Sequence, residues 1–216
     1  MPEAFDAHVA RSVPAYSDGQ ELIADLADQL VPPSGRVYDL GCSTGALTAH
    51  LAERLAPRRA EVIGVDREPG MTERAQMRCA ALPQVRFETA SLQELEFEPA
   101  DMIVSYYTLQ FLPLRSRSRV VSRIHKALVP GGTFVLFEKV LASSARNQAT
   151  AAGAYHDWKG RQGFNDEEIA AKARSIRGVL QPLSPDENDA MLREAGFTDM
   201  MRVFRWVLFE GLIARA

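Results

Sequence analysis

Cysteine is scarce: Cys42 and Cys79 are the only two in 216 residues, and they lie far apart in the chain. Neither sits in a metal-binding spacing, and a disulfide framework is not expected from so few. The four histidines, His8, His50, His125 and His156, include no pair at metal-ligand spacing. No metal is therefore expected. An excess of one charge is also missing, since 25 Lys and Arg face 28 Asp and Glu, for a net charge of −3. That balance gives no pull toward nucleic acid or an anionic membrane. No apolar run reaches membrane-spanning length, and Met1-Pro2-Glu3-Ala4 does not open a signal peptide. Internal repeats and low-complexity tracts are lacking too. These absences lead to the expectation of a soluble, cytoplasmic protein, with 46% hydrophobic residues to build a sizeable core.

What is present starts with Val37-Tyr38-Asp39-Leu40-Gly41-Cys42-Ser43-Thr44-Gly45-Ala46-Leu47-Thr48. An apolar run breaks at Gly41, a second close approach is allowed at Gly45, and the pattern then turns helical. A buried strand feeding a glycine turn and a helix reads that way, and glycine lets a ligand lie directly on backbone. A second apolar strand, Glu61–Asp66, ends on an acid. Nucleotide-binding α/β folds set a carboxylate against ribose hydroxyls about 20 residues past such a turn. The spacing Gly41-x-Ser43-x-Gly45 lacks the sixth-position glycine of the dinucleotide fingerprint. Asp39-Leu40-Gly41-Cys42-x-x-Gly45 instead resembles motif I of class I S-adenosylmethionine (SAM) methyltransferases. Cys42 fits there as a small turn residue rather than a nucleophile.

Around this stretch, helices are expected over 21–30, 46–55, 69–81, 119–129 and 185–195, and strands over 36–40, 61–66, 85–88, 101–106 and 133–137. Two closing strands over 202–207 and 211–214 form a hairpin. The alternation predicts an α/β fold: a doubly wound, mostly parallel, seven-stranded Rossmann-like sheet in a single domain, 1–216. An N-terminal helical arm spans 1–35, where Phe5, Val9, Val13 and Tyr16 supply apolar positions and Tyr16 or Arg11 reaches the ligand. Residues 142–180 break the alternation. Helical patterns at 145–153 and 167–179 flank a link, 155–164, dense in aromatic and ionisable residues. This is expected as a helical insert, or lid, over the sheet's carboxyl edge, with Trp158 and Phe164 packing it. The arginines 115, 117, 119 and 123 are expected on a solvated face.

Arg11-Ser12-Val13-Pro14-Ala15-Tyr16-Ser17, Tyr38-Asp39-Leu40-Gly41-Cys42-Ser43, Thr108-Leu109-Gln110-Phe111-Leu112, Glu138-Lys139 and His156-Asp157 together resemble the carboxy-S-adenosylmethionine synthase family. Those SAM-methyltransferase-like enzymes make carboxy-SAM from SAM and prephenate, for modification of tRNA wobble uridine. The similarity runs over nearly the whole chain. It implies that Tyr16 contacts the ligand, that Gly41, Cys42 and Ser43 line the amino-acid end of SAM, and that Asp66 and Arg67 sit at the ribose and adenine. Asp39 and Gly45 complete motif I. A homodimer is implied as well. Three positions depart from the family. Its acid after the third strand falls on Ser91, beside Leu92, and its asparagine after the fourth falls on Tyr106. Its carboxylate-pairing arginine falls on Ala173, with Arg174 beside it. One residue on a helix is about 100° around the axis, enough to remove a bidentate guanidinium–carboxylate pair.

Methyl transfer from a sulfonium requires alignment and exclusion of water, and a base only where the acceptor must lose a proton. The catalytic candidates at the mouth of the sheet are His156, Tyr106 and Tyr107, with Asp157 and Glu138 nearby. Tyr106 and Tyr107 are consecutive on a strand end, so they are expected to face opposite ways. The combined expectation is a SAM-dependent methyltransferase that acts on a small-molecule acceptor and releases S-adenosylhomocysteine. Two rival readings remain: carboxy-SAM synthesis, and a SAM-binding protein without turnover.

Overall fold

The computed structural model describes the backbone from Pro2 to Ala216 and the side chains from Asp6 onward. Phe5 of the expected apolar arm lies outside the described side chains. The chain forms α1 (Pro2–Ser12), α2 (Tyr16–Leu30), β1 (Arg36–Leu40), α3 (Ala46–Leu55), β2 (Glu61–Asp66), α4 (Pro69–Arg78), β3 (Val85–Thr89) and β4 (Ala100–Tyr106). It continues with α5 (Leu114–Ala127), β5 (Leu128–Lys139), α6 (Ala145–Arg161), α7 (Asp166–Ser175), α8 (Pro185–Ala195), β6 (Asp199–Trp206) and β7 (Phe209–Arg215).

The strands lie in the order β3-β2-β1-β4-β5-β7-β6. The first five run parallel, and β7 is antiparallel to both β5 and β6. Crossover connections keep the first five parallel, whereas the Val207-Leu208 turn is too short for anything but a hairpin. Because helices cover both faces, the central strands are apolar on successive residues rather than alternate ones. Val37, Val62, Met102, Val104 and Phe137 pack against α2 and α3, with Ala151 of α6. Tyr38, Leu40, Ile63, Ile103 and Phe134 pack on the other side against α5 and α8. The seven-stranded doubly wound sheet is as expected.

Several boundaries differ from expectation. Residues 155–161 are helical rather than a link, because α6 continues unbroken to Arg161 and stops only at Gln162-Gly163. α5 begins at Leu114 and ends before Leu128. β5 runs through Pro130-Gly131-Gly132, where Gly131 N donates to Ala216 O and Ala216 N to Gly132 O. The terminal residue of β7's extension thus supplies a ladder where proline and glycine alone suggest a break. α2 starts at Tyr16, after Ala15 takes a left-handed turn at φ 52°. Among the described residues no helix is long and apolar enough to cross a membrane.

Candidate SAM-binding site

β1 carries Asp39 to the top of the sheet with 2% of its surface exposed. Thr48 Oγ1, one turn into α3, donates to Asp39 Oδ2 at 2.6 Å. Burial pushes the Asp39 carboxyl up to about 6, and the Thr48 hydrogen bond pulls against that shift. Three left-handed residues then fold the turn: Gly41 at φ 75°, Ser43 at 52° and Gly45 at 77°. A Cβ on Gly41 would sit 2.3 Å from Thr108 Oγ1, and one on Gly45 would sit 2.8 Å from Ala75 Cβ. The glycines therefore admit the walls of the site, the post-β4 loop and α4, as well as the sharp bend.

The amides of the turn also point inward. Gly41 N and Cys42 N both donate to Val65 O, at 2.7 and 2.9 Å. Ser43 N donates to Asp66 Oδ2 at 2.9 Å, while Asp66 Oδ1 accepts Glu68 N at 3.0 Å. Asp66 thus locks the turn to β2 with two of its roughly four acceptor positions, leaving the rest for ligand hydroxyls. α3 starts at Gly45 without a side-chain cap, so its N-terminal end offers positive dipole to a carboxylate. Cys42 is buried, and burial raises its thiol, which suits an inert turn residue.

A narrow cleft of about 20 Å³ brings together Tyr16, Asp39, Gly41, Cys42, Ser43 and Tyr106 from the sequence-expected set, with Gly45 at the adjoining start of α3. Tyr106 and Tyr16 narrow it: the Tyr106 hydroxyl donates to Tyr16 O at 2.6 Å, and the rings lie 5.0 Å apart. The cleft also includes Asp6, Gln20 and Thr44, which sequence patterns did not single out. Thr44 Oγ1 donates to Asp6 Oδ1 at 2.6 Å, and Arg78 forms an ion pair with the same carboxylate. α1 is thereby pinned across the glycine turn. Nothing in the spacing of Asp6 signals that contact, because it joins residues distant in sequence.

Other expected site residues are placed differently. Arg67 is largely exposed and bonds its neighbour Glu68. Leu92 packs in the α5–α8 core, and Ser91 Oγ accepts from Gln93 N at 3.3 Å. His156, on the extended α6, is half exposed and bonded to Asp166 at 2.9 Å, and it does not line the cleft. Arg11 does not line it either: its guanidinium donates to Gln162 O and covers Phe164 at 4.7 Å. Tyr106 and Tyr107 do not face opposite ways. Tyr107 adopts φ 59°, which ends the pleat, and the two rings meet at 4.8 Å in one core layer. Arg117 is buried rather than solvated, unlike Arg115 and Arg119 on the same helix.

At the carboxyl end of β5, Glu138 is buried and its carboxyl is pushed up to about 8, with Arg117 opposing the shift. The next residue, Lys139, is pulled down to about 8 by burial and by Lys159. Among the described residues no His, Cys, Asp and Glu group suits a metal ion.

Residues 37–132 match a methyltransferase domain family. Carboxy-S-adenosyl-L-methionine synthase from a Nitratiruptor species is 37% identical over 99% of this chain and 90% of its own length. The synthase from Chromohalobacter salexigens is 36% identical, covering 97% of this chain and 79% of its own. Among solved structures, a putative O-methyltransferase from Nostoc punctiforme superposes with a TM-score of 0.69 at 17% identity, over 94% of this chain and 57% of that one. Human N-acetylserotonin methyltransferase in complex with SAM gives 0.61 at 18% identity, over 91% of this chain and half of that one. These structural neighbours carry the fold. The groups at the cleft match the cofactor in chemistry, with Asp39 complementary to an ammonium group and the uncapped α3 to a carboxylate, while Asp66, with acceptor positions for a ribose, lies outside the cleft lining. SAM is the cofactor, and the chain belongs to the carboxy-S-adenosyl-L-methionine synthase family of SAM-dependent enzymes.

Proposed function

We propose that the protein is a homodimeric enzyme that makes carboxy-SAM from SAM and a small carboxylic acid of the prephenate type. The observation that carries this reading is the extent of the similarity, which includes the insert as well as the SAM-binding half. A chain that shared only cofactor binding would match its relatives over β1 to β5 alone. When bound, SAM would supply a methyl group acidified by its sulfonium, which loses a proton and takes up the carboxyl released by the acid. Asp39 and the α3 N terminus hold its amino-acid end, and Asp66 holds its ribose. Tyr106 and Tyr107 close the site against water, which strengthens every charge interaction inside.

Methyl transfer to a small-molecule acceptor is the second reading. A specific observation favours it: alanine stands at 173, where the family pattern has its carboxylate-pairing arginine, and Arg174 beside it is exposed on α7. Mass spectrometry of SAM-derived products separates the two. Incubation with SAM and prephenate yields a product heavier than SAM by a carboxyl group under the first reading. Appearance of S-adenosylhomocysteine with a methylated acceptor, and no carboxylated product, overturns it.

A further inference from the structure

We propose that Lys139 and Lys159, held against opposite parts of one aromatic box under the insert, form the subsite that binds the carboxylate of the second substrate. The proposal rests on the two-substrate reading above and names residues for it. Lys139 ends β5, and its Nζ lies 4.8 Å from the centre of the Tyr155 ring and 5.8 Å from that of Phe209. Lys159 reaches the same Tyr155 ring from one turn further along α6, with Nζ at 4.7 Å. Lys159 is 8% exposed. The charged neighbours that act on these two groups among the described residues are themselves cations: Lys159 on Lys139, and Lys172 on Lys159.

Buried charges in folded proteins are normally paired, because an unpaired one carries its full desolvation penalty. Two crowded ammonium groups with no carboxylate beside them among the described residues are therefore half of an interaction. The face of Tyr155 offsets part of the penalty, since a cation–π contact contributes about 0.5–2 kcal/mol, less than a hydrogen-bonded carboxylate in the same place. The missing half is an anion.

The surroundings define what kind. Trp158 stacks on Tyr155 at 6.0 Å, and Trp206 and Phe209 approach the same ring at 6.3 and 5.1 Å. An acid with a flat or cyclic apolar body fits such walls better than a small inorganic anion. The box is linked to the SAM cleft through packed rings. Tyr155 touches Phe209, Phe209 meets Tyr107 at 5.9 Å, and Tyr107 meets the cleft-lining Tyr106 at 4.8 Å. A bound acid would thus lie one aromatic layer from the cofactor. The subsite replaces, with two lysines from β5 and α6, the arginine that the family pattern places at Ala173.

Isothermal titration of the full-length, SAM-loaded protein with prephenate, phenylpyruvate and phenylpyruvate methyl ester tests this. The acids are expected to bind, and the neutral ester about ten-fold or more weakly, as for loss of a charge-assisted contact. Lys139→Met and Lys159→Met should each weaken the acids about ten-fold and leave the ester and SAM unchanged, while Lys139→Arg retains most of the binding. Equal binding of acid and ester to the wild-type protein overturns the proposal, and that measurement stands even where a methionine variant does not fold. Unchanged acid affinity in both methionine variants also overturns it. Acid binding that depends on the lysines but yields no carboxylated product overturns the reaction assigned above and supports the subsite.

Discussion

Glu138 and Lys139 are neighbours at the end of β5, yet the pleat sends them into opposite layers with opposite charge balance. On the α5 side, Glu138 faces the buried Arg117. Gln110 stitches this side together: its N donates to Glu138 Oε1 at 3.1 Å, its Nε2 donates to Tyr107 O at 3.1 Å, and its Oε1 accepts Lys139 N at 2.9 Å. Arg117 Nη2 donates to Leu112 O and Gln181 O. On the α6 side, Lys139 meets only Lys159 among the charged groups of the described residues. The α5 side, with groups of both signs, frames the mouth of the sheet, and the cationic side waits for a ligand. Substitutions on the two sides should therefore move stability in opposite directions.

The largest effect is expected from Arg117→Met. It removes the cation that opposes Glu138's upward shift and the two hydrogen bonds to Leu112 O and Gln181 O, a loss of about 3 kcal/mol. Thermal unfolding reads the loss, and adding Glu138→Gln should restore only the part that appears as Glu138 ionises above pH 8. The pH dependence has a definite sign. Glu138 titrates above its unfolded value of 4.5, at about 8. The folded state therefore holds the extra proton, and stability falls as pH rises through that window. Arg117→Met should steepen the fall. An Arg117→Met protein as stable as the parent, with the same pH profile, would abolish the distinction between the sides.

Lys139→Met is expected to do the reverse and raise the melting temperature. Its ammonium titrates at about 8 when folded, against 10.5 ordinarily. The unfolded chain binds the proton more tightly, so the destabilisation is complete below pH 8 and fades as pH climbs toward 10.5. Removing the charge should return about 2 kcal/mol at neutral pH and flatten the alkaline limb of the stability profile. A destabilised Lys139→Met protein would mean that Lys139 has a counter-charge in the folded state after all.

The SAM-binding side was legible in the sequence because its signals are local. Residues 37–66 form one contiguous strand, turn, helix and strand, and apolar periodicity with two glycines announces each. The acid side was not. Tyr107 turns left-handed without being glycine, and only the packing of its ring beside Tyr106 compels it. α6 carries aromatic and charged residues through 155–161, a composition that reads as a loop, but no breaker occurs before Gln162-Gly163. Lys139 and Lys159 come together only because α6 crosses the end of β5, and no spacing along the chain encodes that. The one available hint was Glu138-Lys139 itself, two opposite charges closing an apolar strand.

Asp66→Ala sharpens the comparison from the cofactor side. It frees Ser43 N and Glu68 N, loosening the turn as well as removing the ribose partner. SAM affinity should fall about ten-fold, or about 1.4 kcal/mol. Binding of the acid to the lysine subsite should stay within experimental scatter, which calorimetry with each ligand alone measures. Equal weakening of both ligands would mean that the two sites are one.

Tyr106→Phe should have the smallest effect and is the most discriminating about how the two sites meet. The Tyr106 hydroxyl donates to Tyr16 O, and Gly19 leaves it room, since a Cβ there would lie 2.4 Å from that oxygen. Removing the hydroxyl deletes one hydrogen bond but keeps the ring contacts with Tyr16, Tyr107 and Phe137. The expected loss is about 1 kcal/mol of stability, with Tyr16 freed to swing out of the cleft. SAM should then associate and dissociate faster at nearly unchanged affinity, as stopped-flow fluorescence of the neighbouring aromatic residues would detect. A large loss of SAM affinity would instead make the hydroxyl a direct ligand contact, and the aromatic layer between cofactor and acid would be a binding surface rather than a partition.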